Sequence, residues 1–327
     1  MTKKLCGYEL VLPFHTDIYG TYYHARKNDG GEDTIIRLVG HFEPNPLPSK
    51  NSKRDFNLPI HEIIISDPPC EDDPNPNKSR QFHVLIDGKI ETIILDAHVR
   101  KPGYWATTTI RIATELLNNH PSNNLRILDL GCGSGIIGVV LSKHPKVKQV
   151  VFSDIDKTAA GCTSKNANKY SIKDFQVRVG NLFDPFTNNE LFDLIIFGPP
   201  FYPSGIGINN SIADVNGRLG NELVTVFAKN VKNFLSKGGL SLTYIAEYID
   251  YAPILNALAE SHLSTRTEYR HILYPYIPKH NFPPSNEIIF RQELESFCNY
   301  KFLEENFNDR TFLGFQMVHF ISEQKTI

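Results

Sequence analysis

An α/β fold, built on a mostly parallel sheet with a smaller β-rich module ahead of it, is what this sequence predicts. Three observations carry the prediction. From about residue 100 onward, short apolar runs of strand length alternate with stretches of helical periodicity. Two of those runs, Leu125–Leu130 and Phe192–Phe197, are rich in Leu, Ile and Phe on both alternations, as strands buried on both faces are. Residues 1–100, by contrast, read as a series of short Val- and Ile-rich strands.

The stretch that organises the chain is Leu125 to Gly138. Asp129 sits near the end of the strand, and Gly131, Gly133 and Gly135 then remove every second side chain. Backbone N–H groups can approach a ligand closely there, and turns of positive φ cost little. Ile136 to His144 reads as a helix leaving the turn, its free N–H groups and positive dipole end facing the ligand. This strand, glycine turn and helix form a device for holding a nucleotide-like ligand. Gly133 to Gly138 also satisfies G-x-G-x-x-G, so a nicotinamide dinucleotide stays open at this point.

Composition narrows the class. A chain of 327 residues with 41% hydrophobic and 21% charged residues is that of an ordinary water-soluble protein. A formal net charge of −2 supplies no strong basic field for holding nucleic acid phosphates, which gives no nucleic-acid signal beyond a local patch. Cys6, Cys70, Cys132, Cys162 and Cys298 are scattered and form no C-x-x-C, so neither a zinc site nor a disulfide framework is expected. His15, His24 and His41 have no metal-ligand spacing, and no metal is expected. There is no apolar run of membrane-spanning length, and the amino-terminal stretch lacks a secretory core, so the expected location is the cytoplasm and no membrane partner is expected. Oligomeric state is not readable.

In the amino-terminal part, Tyr8–Leu12, Thr34–Val39, His61–Ser66, Phe82–Ile86 and Ile90–Leu95 are the expected strands, with Asp87-Gly88 as a hairpin turn. Phe42–Asn57 and Asp67–Arg80 read as loops. A helix is expected over Thr107–Asn119 with Ile110, Ala113, Leu116 and Leu117 as its apolar stripe. Just before it, Tyr104 and Trp105 read either as a core anchor between modules or as an aromatic wall of the active site.

Lys148 to Ser153 is the next strand, followed by Asp154-Ile-Asp156 and a helix over Lys157–Tyr170. Asp154 suits acceptance from two ribose hydroxyls, whereas Asp156 suits the helix N-cap. The strand Gln176–Val179 leads to Asn181, whose side chain can meet an adenine edge, with Leu182 as its apolar contact. Phe192–Phe197 ends in Gly198, Pro199, Pro200, Phe201 and Tyr202, where consecutive prolines fix an extended backbone at the strand's carboxyl end. The last part offers a helix near Pro253–Ser261 and strands over Thr265–Tyr274 and Phe312–Ser322. Between those strands lies an insertion near 275–310 that is helical over Glu293–Asn306.

Taken in order, D-x-G-x-G-x-G, S-D-I-D, G-N-L-F and F-D-L-I-I-F-G-P-P-F resemble the amino-methyltransferase branch of class I S-adenosylmethionine (SAM)-dependent methyltransferases. The nearest resemblance is to release-factor glutamine methyltransferases and the "small" methyltransferase domains, over about residues 100 to 250. It implies a Rossmann-like seven-stranded methyltransferase sheet in residues 101–327 and SAM as cofactor; residues 1–100, the β-rich module read above, are expected to face substrate. It also implies that Asp129, Gly131, Gly133 and Gly135 form the methionine cradle, that Asp154 holds ribose, and that Asn181 and Leu182 meet adenine. Gly198, Pro199, Pro200, Phe201 and Tyr202 form the catalytic motif, with Tyr104 or Trp105 closing the site. Two departures matter. The family's fourth motif opens with Asn or Asp, whose side chain accepts a hydrogen bond from the target nitrogen, and this chain has Gly198. The release-factor enzymes also carry a helical amino-terminal domain. N-methylation of a small molecule or peptide is therefore the expected reaction. Cyclisation within SAM and non-catalytic SAM binding are the alternatives.

Overall fold

The computed structural model describes residues 3–5, 8–17, 20–27, 33–39, 60–65, 78–86, 89–100, 102, 104–187, 189–200, 202–204, 217–276, 295–301, 303–307 and 310–324. The expected loop Phe42–Asn57, most of Asp67–Arg80, the Asp87-Gly88 turn and residues 277–294 of the insertion lie outside these. Among the described residues seven strands precede the first helix: β1 (Lys3–Leu5), β2 (Tyr8–Asp17), β3 (Gly20–Lys27), β4 (Asp33–Val39), β5 (Ile60–Ile65), β6 (Arg80–Ile86) and β7 (Lys89–Leu95). Then follow α1 (Tyr104–Asn119), β8 (Leu125–Leu130), α2 (Ile136–Leu141), β9 (Val147–Asp154), α3 (Lys157–Lys169), β10 (Phe175–Val179) and β11 (Phe192–Phe197). The remainder is α4 (Glu222–Asn230), β12 (Leu235–Ala246), α5 (Ala252–Glu260), β13 (Ser264–Tyr276), β14 (Leu303–Phe307) and β15 (Arg310–Glu323).

The expected seven-stranded sheet is the run β10-β9-β8-β11-β12-β15-β13. Neighbours from β10 to β12 pair in parallel, and β15 runs antiparallel between β12 and β13. Parallel pairing requires crossover helices, and α1 to α5 supply the cover. The sheet does not stop there. β5 pairs in parallel with β13, His271 opposite Ile63, and β4, β3, β2 and β1 continue beyond it to make thirteen strands in all, with β14 on β15. β6 and β7 form a separate two-stranded hairpin.

Alternate side chains of β8 serve two cores, which is why the strand carries Leu and Ile on both faces. Leu125 and Ile127 pack with Ile110, Ala113 and Leu117 of α1 and with Ile136 and Val139 of α2. Leu128 and Leu130 face the opposite layer, with Val224 and Phe227 of α4 and Ile254 and Leu258 of α5. In that layer Phe183 stacks on Phe234 at 4.4 Å between centroids, and Phe197 lies 4.9 Å from Phe227.

Three expectations are corrected. α1 starts at Tyr104, three residues early, so Tyr104 and Trp105 form its first turn and not a corner ahead of it. The helix after the glycine turn ends at Leu141, and residues 142–144 follow as turns. Of the helix expected over Glu293–Asn306, the described residues are helical only at 295–298. Leu303–Phe307 is a strand paired antiparallel with β15, from Leu303 opposite Gly314 to Phe307 opposite Arg310. Glu and Leu favour helix locally, but the open edge of a long strand outweighs that preference.

α2 lies close on the sheet because Gly138 has no side chain. A Cβ there would stand 2.3 Å from Phe152 Cε1 and 3.0 Å from Val150 Cγ1. Gly138→Ala should therefore destabilise the protein by about 1–3 kcal/mol, as overpacking of a filled core does, read as a lower denaturant midpoint with unchanged slope.

Candidate functional site

The carboxyl ends of β8, β9 and β11 share one edge of the sheet. β8 has β9 on one side and β11 on the other, so chain order reverses there, which opens a crevice at the strand ends. The glycine turn fills that point. Gly131, Gly133 and Gly135 all have positive φ, at 66°, 56° and 78°. Beyond φ, their surroundings differ. A Cβ on Gly133 would meet nothing within 4 Å, so its backbone faces open space. One on Gly135 would stand 2.8 Å from Thr163 Cγ2, where α3 packs. One on Gly131 would stand 3.3 Å from Phe197 Cε2 and 4.0 Å from the Gly198 carbonyl oxygen. The glycine turn and the Gly198-Pro199-Pro200 bend therefore lie side by side, following the ladder partners Leu130 and Phe197.

Three carboxylates take three positions. Asp154, half-buried at the end of β9, accepts from the Gly133 N–H at 2.8 Å through Oδ2 and from the Asp156 N–H at 2.9 Å through Oδ1. Each oxygen keeps a further lone pair with which to accept from a ligand. Burial raises its pKa against the pull of those N–H groups. Asp156 is the N-cap of α3, accepting from the Thr158 N–H at 2.8 Å. Asp129 is 1% exposed and accepts from the Gly138 N–H at 2.8 Å. Its carboxylate lies beneath the turn and braces α2. Burial pushes its pKa up to about 7, the Gly138 N–H opposes that, and the charge of Asp154 adds to it.

A second set of contacts, not anticipated from the sequence, clamps the turn from α3. Asn166, fully buried, donates through Nδ2 to Ser134 O and to Ile94 O, both at 2.8 Å. The Ile94 N–H donates to Asn166 Oδ1 at 2.7 Å. One side chain thus ties the β6–β7 hairpin to the glycine turn. Thr163 adds a bond from Oγ1 to Gly133 O at 2.9 Å. The only sequence signal was a short polar residue in the middle of a helix, at a position on the face that turns out to be buried.

The other predicted residues spread around this edge. Asn181 is exposed, and Leu182, with φ of 44°, rests against the core beside Phe183. Gly198 and Pro200 are half-buried and Pro199 is buried. Phe201 lies outside the described residues, as does the Tyr104 side chain. Tyr202 and Trp105 both pack against the cluster that contains Phe197, and the Arg100 guanidinium lies 6.0 Å from the Tyr202 ring centroid. Tyr244 of β12, which the sequence did not single out, reaches the same bend: a Cβ on Gly198 would stand 3.2 Å from its Oη. Open backbone at Gly133 beside a strand-end carboxylate fits an adenosyl ligand.

Several known methyltransferases resemble this chain in part. The ribosomal RNA small subunit methyltransferase C of Haemophilus influenzae strain 86-028NP is 30% identical over 47% of this chain and 43% of its own length. The corresponding protein of Pseudoalteromonas atlantica is 28% identical over 76% of this chain and 66% of its own. The ribosomal protein L11 methyltransferase of Alkaliphilus metalliredigens is 34% identical over 35% of this chain and 29% of its own. The chain thus spans less than half the length of the first and third of these relatives. A solved T. thermophilus 16S rRNA N2 methyltransferase, in complex with AdoMet and guanosine, aligns with TM-score 0.45 and 22% identity over 58% of this chain and 47% of that one.

The expected partners are corrected by these relatives, which are named for ribosomal RNA and a ribosomal protein and not for small-molecule or peptide acceptors. A net charge of −2 averages the whole chain and is silent about a local basic face. Among the described residues no helix is long and apolar enough to cross a membrane. The methyltransferase small domain model matches residues 97–273, more than half of the chain, and the protein belongs to that family, a SAM-dependent methyltransferase of class I.

Proposed function

We propose that this enzyme methylates a nitrogen of a base in ribosomal RNA. The observation that carries the transfer is the closeness of the glycine turn to the fourth motif: Leu130 and Phe197 are ladder partners, and a Cβ built on Gly131 would stand 4.0 Å from Gly198 O. A cofactor held on the turn and an acceptor held at Gly198 are then neighbours, and methyl transfer needs above all that two groups be aligned. The names of the relatives favour the RNA acceptor.

When bound, SAM supplies an activated methyl whose bond to sulfur breaks, its electrons passing to sulfur, as the acceptor's lone pair bonds to carbon; the acceptor nitrogen sheds one proton to water. The chain's own residues do the rest. The free face of Gly133 admits the methionine part, Asp154 accepts from the ribose hydroxyls, and Asn181 with Leu182 borders the adenine. Asp129 acts from below, by holding α2 and hence the turn. Gly198, Pro199 and Pro200 present backbone carbonyls to the acceptor. Tyr202 and Trp105 line the apolar side, and Tyr104 starts the helix that carries Trp105 into place. Residues 101–327 form the SAM-binding domain in this reading, and residues 1–100 face the acceptor.

The direct test is labelled SAM with an unmodified rRNA transcript and with ribosomal subunits. Label on a base nitrogen is expected. Label confined to ribosomal protein, or a product formed from SAM with no acceptor present, would overturn the proposal.

Two variants check the roles. Asp154→Ala should weaken SAM binding by about 2–3 kcal/mol by calorimetry, since ribose donors and the Gly133 N–H lose a charged acceptor. Asp156→Ala should instead cost about 1 kcal/mol of stability, through its cap, with SAM affinity nearly unchanged.

The buried carboxylate makes stability depend on pH. Asp129 titrates at about 7 in the folded chain, against an ordinary aspartate value of 3.8, so the folded state holds more protons between those values. Stability should therefore be highest below about pH 4 for this group and fall as pH rises through 7. Asp129→Asn keeps an oxygen for the Gly138 N–H and removes the charge. Relative to the parent, it should gain on the order of 2–4 kcal/mol of stability between about pH 5 and about pH 8 in denaturant unfolding.

A further inference from the structure

The fourth motif has lost its leading side chain, and the space beside it is occupied from another strand. β11 and β12 pair in parallel with Phe197 opposite Thr243, so Tyr244 stands next to the bend that begins at Gly198. A Cβ built on Gly198 would be 3.2 Å from Tyr244 Oη, 3.8 Å from its Cε1 and 3.9 Å from its Cζ. The hydroxyl, and not the ring, is the nearest part. Tyr244 is 4% exposed, in the cluster with Phe197, Phe227 and Phe320, and its ring lies 5.6 Å from that of His319, its partner across the β12–β15 ladder. A buried aromatic with two side-chain torsions, packed on this scale, holds its hydroxyl in a fixed place.

Resting on the methyltransferase reading above, we propose that the Tyr244 hydroxyl is the group that orients the acceptor nitrogen in this enzyme, and that Gly198 is glycine to leave room for it. The chemistry of the phenol suits the task. Its oxygen can accept an N–H from the acceptor while its own proton is donated elsewhere. Burial raises the pKa of the phenol, outweighing the nearby Arg100 charge that opposes it, so the group stays neutral and does not present a phenolate to the sulfonium. The nitrogen lone pair is then left facing the methyl group, and the bonds made and broken are those given above. Position 198 is also open to any residue by backbone, since Gly198 is absent from the positive-φ glycines and the following proline holds it extended. Its lack of a side chain is a matter of space.

The test is a pair of substitutions and their combination. Tyr244→Phe retains the ring and removes the hydroxyl. It should lower kcat for methylation of unmodified rRNA about 10- to 100-fold, with SAM affinity by calorimetry and the melting temperature close to those of the parent. Gly198→Asn should lower both the melting temperature and kcat, because its Cβ presses on the hydroxyl. In the double variant Gly198→Asn/Tyr244→Phe the space is freed and a side-chain oxygen is restored from the other strand. Its melting temperature should return toward that of the parent, and kcat should exceed that of either single variant. A parental kcat in Tyr244→Phe overturns the inference while leaving the proposed function standing, as does a double variant no better than the singles. A parent enzyme that labels no rRNA overturns both.

Discussion

One hydrogen bond, from the Gly138 N–H to the buried carboxylate of Asp129, fixes the turn on which the site is built. It joins the end of β8 to the start of α2 across the three left-handed glycines. Phe152 and Val150 hold the same helix from the sheet side at Gly138. Between these two constraints the backbone from 131 to 135 can take few other paths. The bond carries an electrostatic cost, since a carboxylate without water is disfavoured and Asp154 lies near. That cost is tolerated where a cationic ligand approaches, because opposite charge in a dry site relieves it.

The carboxyl edge works because the sheet is covered on both faces. α1 and α2 with one set of alternate side chains, and α4 and α5 with the other, leave the strand ends as the place where backbone groups meet open space. Asn166 extends this order outward, tying the β6–β7 hairpin to Ser134 through α3. The amino-terminal strands join at the far side, through β5 on β13. The cofactor side and the amino-terminal strands are therefore linked by ladders and buried hydrogen bonds at two separate places.

The acceptor side follows a different logic. Relatives named for rRNA and for a ribosomal protein match this chain over only part of its length and of theirs. Acceptor choice in such a fold is carried by what surrounds the fourth motif, and here that surrounding includes a residue from β12. Function is a property of the site and not of the sheet.

The sequence by itself determined the α/β alternation, the glycine turn, the strand-end position of Asp154 and the N-cap at Asp156. Each depends on neighbours in the chain: periodicity, permitted φ, or a side chain reaching two residues onward. It placed Asp129 in the motif without showing that its carboxylate turns inward toward Gly138. It missed Asn166 and Tyr244, and it read residues 303–306 as helix. In those cases the deciding partner is remote: Ile94 for Asn166, Gly198 for Tyr244, and the edge of β15 for Leu303–Phe307. No local pattern encodes a contact between residues 46 or 72 positions apart, because such contacts come into being only when the sheet aligns its strands. Tertiary structure alone decided them.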